Sequence, residues 1–154
     1  MEPAFRIAQV TDVDTVLVLM QELFFEDRLP DQHAFDATRA RSALKDLVND
    51  RSRGIVWLIC DGDAAVGYLA LTFGFSLEFH GKDAFIDELY IRSTHRGRGW
   101  GTRAIGRAEA IAHSENVRAI HLEVGRQNRT ALALYRKLGY VDHDRYLMTR
   151  WIEP

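Results

Sequence analysis

Apolar residues recur along the chain with two different periods, and the changes of period predict the order of the elements. The alternating run Phe5–Val10 predicts a first strand. From Val13 to Phe24 the apolar residues recur at helical spacing, with acidic residues between them. A second amphipathic helix is predicted over Asp36–Val48. The chain is therefore expected to begin with one strand followed by two helices.

Short apolar runs and turn residues dominate the middle of the chain. Gly54–Cys60 and Ala64–Phe73 are predicted strands. The segment Asp61-Gly62-Asp63 between them is a predicted hairpin turn, because glycine tolerates a positive φ. A fourth strand, Ala84–Ile91, ends at a glycine-rich segment.

The last third of the chain predicts two more helices, each followed by strands. A helix over Thr102–His113 is followed by a fifth strand, Ala119–Val124. An apolar stripe from Ala131 to Leu138 predicts the last helix, and Val141 and Tyr146–Ile152 are predicted to supply closing strands. The order β-α-α-β-β-β-α-β-α-β predicts an α/β (α+β) fold, with a single domain over residues 1–154.

Composition limits the classes of function. The chain of 154 residues has 27% charged residues and a formal net charge of −2. No apolar stretch approaches the length that crosses a bilayer, and the N-terminus lacks the basic start and apolar run of a secretory signal. Cys60 is the single cysteine, so no internal disulfide forms. We therefore expect a cytoplasmic protein without a membrane partner.

The net charge conceals an asymmetry between the two parts of the chain. Residues 1–91 contain 8 basic and 16 acidic residues, whereas residues 92–154 contain 12 basic and 6 acidic residues. From Arg92 to Arg107 there are five arginines and no acid. This split favours an anionic ligand near the second part, unless folding mixes the charges into a neutral surface.

A glycine-rich segment between the fourth strand and the next helix carries the most specific signal. Arg96-Gly97-Arg98-Gly99-Trp100-Gly101 allows close approach of a ligand to exposed backbone N–H groups. The positive end of the following helix adds to this, so the segment predicts a pyrophosphate cradle. A P-loop requires Lys-Ser/Thr after its last glycine, but here Thr102-Arg103 follows, and a dinucleotide fingerprint does not fit either.

Two further motifs flank this segment. Before it stands Asp87-Glu88-Leu89-Tyr90-Ile91, and after it Asn128-x-x-Ala131 leads to Leu134-Tyr135-x-Lys137-x-Gly139-Tyr140. The arrangement resembles the GNAT superfamily of N-acetyltransferases, whose Arg/Gln-x-x-Gly-x-Gly/Ala signature is matched by Arg96, Gly99 and Gly101. The Asp-Glu-Leu-Tyr strand is similar, less specifically, to that of diamine-type acetyltransferases.

The resemblance implies a mixed, mostly antiparallel sheet whose fourth and fifth strands splay around CoA, and acetyl-CoA as cosubstrate. It implies that backbone groups near Leu89, Tyr90 and Ile91 hold the pantetheine and polarise the acetyl carbonyl. It also implies that Asn128 touches the pantetheine and that Tyr135 points at the thioester sulfur. The backbone amides implied for the pyrophosphate are those of Arg96, Gly97, Arg98, Gly99, Trp100, Gly101 and Thr102.

Acetylation of an amine requires a base. An alkyl ammonium group has a pKa of about 10.4, so neutralising it at pH 7 costs roughly 4.6 kcal/mol. A carboxylate can take that proton, directly or through water. Asp87 and Glu88 face opposite sides of a regular strand, and their spacing from Arg96 ranks Asp87 first, although a bulge could reverse the order.

The leaving thiolate can be protonated by Tyr135, whose alternative role is core packing. Cys60 lies in an apolar run, so direct transfer is expected rather than an acetyl-enzyme. The six histidines show no paired metal spacing, and no metal is expected.

Acidic residues at the end of the first helix favour a small cationic amine as acceptor. They are Glu22, Glu26, Asp27 and Asp31. Two alternatives keep the fold, a non-catalytic acetyl-CoA-binding module and a protein or peptide N-acetyltransferase. An RNA-binding domain is disfavoured by the net acidity and the missing aromatic motifs, so no nucleic acid partner is expected. A homodimer is left open.

Overall fold

A five-stranded sheet organises the computed structural model, which describes residues 2–27 and 33–152. The strands are β1 Ala4–Ile7, β2 Gly54–Asp61, β3 Ala64–Ser76, β4 Gly81–Ile91 and β5 Ile120–Leu122. The helices are α1 Val13–Glu26, α2 Ala37–Asn49, α3 Trp100–Ser114 and α4 Arg129–Lys137. The strands lie in chain order; β1 to β4 pair antiparallel, whereas β5 pairs parallel with β4.

Local signals place several element boundaries where the sequence predicts them. Asp36 stands before α2, and its carboxylate accepts a hydrogen bond from the Arg39 N–H at 3.0 Å, which satisfies one N–H of the first turn. Gly62 has φ 59° in the turn between β2 and β3. The predicted second helix and first hairpin are therefore confirmed.

Apolar residues cover the sheet on both faces. On one face α1 and α2 pack onto β2, β3 and β4, with Leu19, Leu58 and Tyr68 among the most deeply buried side chains. The alternating neighbours Ile59 and Leu69 are buried as well, so the second face is also covered. The buried stripe of α3 consists of Trp100, Ala104, Ile105, Ala108 and Ala112.

The parallel pair β4–β5 separates before β4 ends. Its register runs from Ala84 opposite Ile120 to Ile86 opposite Leu122, where β5 stops. β4 continues to Ile91, and in the described residues no strand pairs with this stretch on the β5 side. This divergence agrees with the splayed strands that the sequence resemblance implies.

The chain forms two compact units, Met1–Glu123 and Val124–Pro154. Within the second unit, Gly139 has φ 93° directly after α4, as predicted for a left-handed cap. The Tyr140 N–H donates a hydrogen bond to the Tyr135 carbonyl, and the Gly139 N–H donates one to the Arg136 carbonyl. These are the two hydrogen bonds of a Schellman motif.

The predicted closing strands are wrong. Residues 141–152 form no strand in this structure, and all of their side chains are exposed. Alternation makes a segment able to form a strand, but the strand forms only where another strand accepts its hydrogen bonds. No helix in the described part of the chain is long and apolar enough to cross a bilayer.

Candidate active site on strand β4

β4 carries one extra residue in the middle of its acidic motif. Leu71 of β3 lies opposite Ile86, but its neighbour Ala70 lies opposite Glu88, so Asp87 has no partner of its own. Because Ile86 and Glu88 are two residues apart and yet face opposite sides of the sheet, this bulge reverses the alternation of the strand. The prediction of one acid on each side, which assumes a regular strand, therefore does not apply here.

Glu88 lies on the face that α1 and α2 cover. Its Oε2 atom accepts a hydrogen bond from the hydroxyl of Tyr68 at 2.7 Å, and Tyr68 belongs to the core on that face. Burial raises the pKa of Glu88 to about 7; the Tyr68 hydrogen bond opposes this rise, and the charge of Asp87 adds to it. At neutral pH this carboxyl group is therefore present in both protonation states.

Two further carboxylates belong to this part of the sheet, Asp87 next to Glu88 on β4 and Glu123 just after β5. Asp87 is exposed at its surface, yet the surrounding protein removes enough water to raise its pKa. Glu123 directly follows β5, and its pKa is raised first by burial and then by the charge of Asp87. No described lysine or arginine forms an ion pair with any of the three.

The backbone of β4 presents hydrogen-bonding groups to the edge that β5 leaves. The Arg92 N–H donates to the Val66 carbonyl at 2.9 Å, so this opposed pair is hydrogen-bonded. Alternation along an antiparallel ladder then turns the N–H and C=O groups of Leu89 and Ile91 toward the open edge, whereas those of Tyr90 point to β3. The Ile91 carbonyl accepts a hydrogen bond from the Arg96 side chain at 2.6 Å.

Two arginines beyond the end of β4 pair with two glutamates of α1. Arg92 donates to both carboxylate oxygens of Glu22 at 2.8 and 2.9 Å, and this bond lowers the pKa of Glu22. Arg96 donates to Glu26 Oε2 at 2.5 Å, while the Tyr90 hydroxyl donates to Oε1 at 3.0 Å. These contacts fix the last turns of α1 onto the end of β4.

The same contacts change the argument for the acceptor. Glu22 and Glu26 are compensated by arginines, so they do not supply the uncompensated negative charge that the sequence suggested. Asp27 is exposed, and Asp31 lies outside the described residues. Asp87, Glu88 and Glu123, on and beside β4, are further acids without an ion-pair partner among the described residues.

The glycine-rich segment leads directly into α3. Gly97 and Gly99 have φ 75° and 77°, and a Cβ atom at either position would meet nothing within 4 Å. Gly99 is the N-cap residue of α3, and no described side chain caps the first turn, formed by Trp100, Gly101 and Thr102. The N–H groups of this turn therefore have no acceptor in the described structure and lie at the positive end of a helix, which suits an anion.

Other residues of this segment are engaged within the protein. The Arg96 N–H donates to the Ser93 carbonyl at 3.3 Å, so this amide already has an acceptor. Arg98 donates to the Thr94 carbonyl at 3.0 Å, and its guanidinium lies 5.7 Å from the Trp100 ring centroid. Trp100 is only 2% exposed, so its ring packs in the core.

The two site residues predicted on α4 have contacts within their own unit. The Asn128 side chain caps the helix by accepting a hydrogen bond from the Ala131 N–H at 3.1 Å. The rings of Tyr135 and Tyr140 lie 5.9 Å apart, the apolar contact that accompanies the Schellman motif.

Sequence reasoning missed Tyr68, which lies within the apolar run of β3. Its signal was the hydroxyl itself, because a buried tyrosine requires a hydrogen-bond partner. Asp87, Glu88 and Leu89 do lie together on one stretch of β4. In the described part of the chain, no group of three or more His, Cys, Asp or Glu residues could hold a metal ion.

Comparison with protein families and curated proteins gives consistent matches. The model described as the acetyltransferase (GNAT) family matches residues 17–140. The IAA acetyltransferase of Azospirillum brasilense is 29% identical over 134 residues, covering 84% of this chain and 78% of that protein. The thialysine N-epsilon-acetyltransferase of Bos taurus is 28% identical over 81 residues, 53% of this chain and 47% of that protein. The match thus spans about half the length of that relative.

Solved structures share the fold. An integron cassette protein from the mobile metagenome of Cole Harbour Salt Marsh superposes with a TM-score of 0.83 and 30% identity, covering 97% of this chain and 91% of that chain. A predicted acetyltransferase from Clostridium acetobutylicum, solved with acetyl-CoA, has a TM-score of 0.81 and 18% identity, with 96% of each chain covered.

Proposed function

The chain belongs to the GNAT acetyltransferase family, and from this premise we propose that it transfers the acetyl group of acetyl-CoA directly to a primary amine. One observation supports this most strongly. Glu88, whose pKa is raised to about 7, lies on the stretch of β4 whose outer edge β5 leaves open. A proton acceptor thus lies beside an edge able to bind an extended ligand.

The residues present fit acetyl-CoA, whose thioester is the activated acetyl donor. For the pyrophosphate we propose the N–H groups of Gly97, Arg98, Gly99, Trp100, Gly101 and Thr102, because they have no acceptor in the described structure. For the amide-rich pantetheine arm we propose the backbone of Leu89 and the Ile91 N–H, which face the open edge. Leu89 is also proposed to donate a hydrogen bond to the acyl oxygen.

For the base we propose Glu88, with Asp87 as the alternative. Glu88 is supported by its burial and by a pKa close to the working pH, the condition under which proton transfer is most effective. Asp87 is ranked first by its spacing from Arg96, and its more exposed position keeps it within reach of an acceptor. The two carboxylates are coupled, since the charge of Asp87 raises the proton affinity of Glu88.

For the residues of α4 we propose the roles that the resemblance implies. The Tyr135 hydroxyl protonates the thiolate, and Asn128 contacts the pantetheine. A thiolate with a pKa of about 8.5 leaves with little help, so the contribution of Tyr135 to the rate is expected to be smaller than that of the base.

For the acceptor we propose a small cationic amine. The support comes from Asp87, Glu88 and Glu123, none of which forms an ion pair in the described structure. The name of the Bos taurus relative gives thialysine and an N-epsilon position, which also supports an amine. Attraction between charges is screened beyond about 8 Å at physiological salt, so these carboxylates act only on an amine that is already close.

A two-part experiment tests this function. Acetyl-CoA should raise the melting temperature, because a ligand that binds only the folded state stabilises it. Thiol release should then be measured with a panel of di- and polyamines, basic amino acids, neutral amines and a peptide N-terminus. Turnover is expected with a cationic small amine. Binding without turnover on any amine indicates a binding module, and absence of binding contradicts the proposal altogether.

A further inference from the structure

Tyr68 is the most deeply buried tyrosine of the molecule described, at 1% exposure, and its ring packs in the core under α1 and α2. A phenylalanine would supply the same apolar packing. The additional hydroxyl has one partner in the described structure, Glu88 Oε2 at 2.7 Å. A buried hydroxyl without a partner is costly, so the two side chains depend on each other.

We propose that Tyr68 is a positioning residue for acetyl transfer: it holds Oε2 of Glu88 so that Oε1 is presented to the ammonium group of the acceptor. The inference rests on the proposed function and adds a residue to it. Tyr68 itself touches neither acetyl-CoA nor amine. It acts through the carboxylate, whose second oxygen has no hydrogen bond to any described residue.

The type of partner determines what the carboxylate can do. An arginine would hold Glu88 as a permanent anion, as Arg92 does for Glu22. A phenol fixes the orientation without supplying a positive charge, so the carboxylate can still take up a proton. The pKa of Tyr68 is raised by burial and by the charge of Glu88, so its hydroxyl stays protonated and remains a donor.

Among the described residues, Tyr68 is the one hydrogen-bond donor to the Glu88 carboxylate. From β3 comes Tyr68, and from β4 come Asp87, which raises its pKa, and Tyr90, whose hydroxyl donates to Glu26. The nearby cations at the end of β4 are engaged elsewhere, Arg92 with Glu22 and Arg96 with Glu26. Beyond Asp87 lies Glu123, which is also acidic.

The step that this geometry serves is a proton transfer. An N–H bond of the acceptor's ammonium group breaks and an O–H bond forms at Glu88 Oε1, directly or through one water. The ammonium becomes a neutral amine whose lone pair forms the new N–C bond as the C–S bond of the thioester breaks and its electron pair leaves with the CoA sulfur as a thiolate. The acylated nitrogen then loses one further proton, which balances the proton that the thiolate takes up, and the neutral carboxyl of Glu88 later releases its own proton to solvent. Losing the orientation of Oε1 slows this step without altering acetyl-CoA binding.

Tyr68→Phe tests the proposal, with Val56→Ala as a control. Val56 lies in the same core cluster and outside the proposed site, so its variant reports the effect of core damage alone. In Tyr68→Phe we expect kcat to fall about tenfold while KM for acetyl-CoA changes less than about twofold. The midpoint of the low-pH limb of kcat/KM should rise by about one unit, because the anion loses a hydrogen bond. Val56→Ala should leave that midpoint unchanged.

Two more variants complete the test. In a Glu88→Gln background, Tyr68→Phe should have no further effect on kcat, since it acts through that carboxylate. If Tyr68→Phe does not fold, 3-fluorotyrosine at position 68 keeps the core intact and donates more strongly, and it should move the midpoint down. An unchanged midpoint in the folded variant, or additive losses in the double variant, overturns the role of Tyr68. If Glu88→Gln itself retains full turnover, the proposed base is wrong instead.

Discussion

Two pairs of carboxylates, one on α1 and one at the bulge of β4, have opposite electrostatic surroundings. Glu22 and Glu26 on α1 bind Arg92 and Arg96, and the pKa of Glu22 is lowered. At the bulge of β4, the pKa of Asp87 and that of Glu88 are both raised by burial.

The contrast shows how a protein separates structure from chemistry within one residue type. A carboxylate that is bound to arginine is a stable anion, which joins elements but exchanges protons only at low pH. One that is buried beside a phenol and another acid changes its protonation state near neutral pH. The identity of the neighbours, and not the residue itself, decides which role it has.

Glu88→Gln gives the largest expected effect, and Glu22→Gln is its matched control on the other side of the comparison. Removing a general base typically slows the reaction by about 100-fold or more, so kcat of Glu88→Gln should fall by at least that factor. Glu22→Gln should change kcat far less. Initial rates at saturating acetyl-CoA and amine measure both. Equal losses in the two variants would erase the distinction between the pairs.

The contribution of Glu88 to stability should depend on pH in the direction opposite to that of a carboxylate in an ion pair, and Glu88→Gln should remove this dependence. Burial raises the pKa of Glu88 in the folded state from 4.5 to about 7. The contribution of this group to the free energy of unfolding is therefore fully present below pH 4.5 and is lost as the pH rises through 7. Glu88→Gln removes that loss and should be more stable than the wild type at pH 8.5, by up to about 3 kcal/mol. Urea unfolding at pH 4.5 and 8.5 measures this, with little difference expected at the lower pH.

A negative charge placed in the glycine-rich segment between β4 and α3 tests whether this segment binds the pyrophosphate of acetyl-CoA. Gly99→Asp should weaken acetyl-CoA binding at least tenfold, about 1.4 kcal/mol, relative to Gly99→Asn. The two variants have the same shape, and both residues tolerate the left-handed conformation of φ 77°, so they differ in charge alone. Calorimetric titration with acetyl-CoA provides the constants, and equal affinities would contradict the pyrophosphate assignment.

Glu22→Gln should have the smallest effect, a loss of about 1 kcal/mol in the free energy of unfolding at pH 7. The pair with Arg92 is about one-third exposed, so solvent screening limits its contribution. Because the pKa of Glu22 is lowered, its contribution is present above pH 4.5 and is lost as pH falls through the folded-state value. Urea unfolding at pH 7 and pH 3 should show a smaller difference at the lower pH. A constant difference would indicate lost packing instead.

The sequence predicted the features that depend on neighbours along the chain. The turn at Gly62, the cap at Asp36 and the position of the segment around Gly99 between β4 and α3 all follow from a few adjacent residues. Such signals are local, so they can be interpreted without knowledge of the rest of the fold.

Features that depend on two segments far apart in the sequence could not be predicted from patterns of neighbouring residues. The bulge at Asp87 exists only relative to β3, because it is a difference in residue count between two paired strands. Arg92 and Glu22 are 70 residues apart, and only folding brings them together. The closing strands over residues 141–152 failed for the same reason, since the alternation was present but no partner strand was.

The bulge also determines which kinds of mutation β4 can accept. A substitution at Asp87 leaves the spacing of the strand intact and should affect charge alone. Deleting that one residue would remove the bulge and make Ile86 and Glu88 adjacent residues of a regular strand, still opposite Leu71 and Ala70. The side chains from Glu88 to Ile91 would then keep their faces, so Tyr90 would stay in its core. Asp87 is therefore the position of β4 where the sheet can best accept a gap, whereas deleting a paired residue such as Leu89 would turn the side chains on one side of the deletion to the opposite faces.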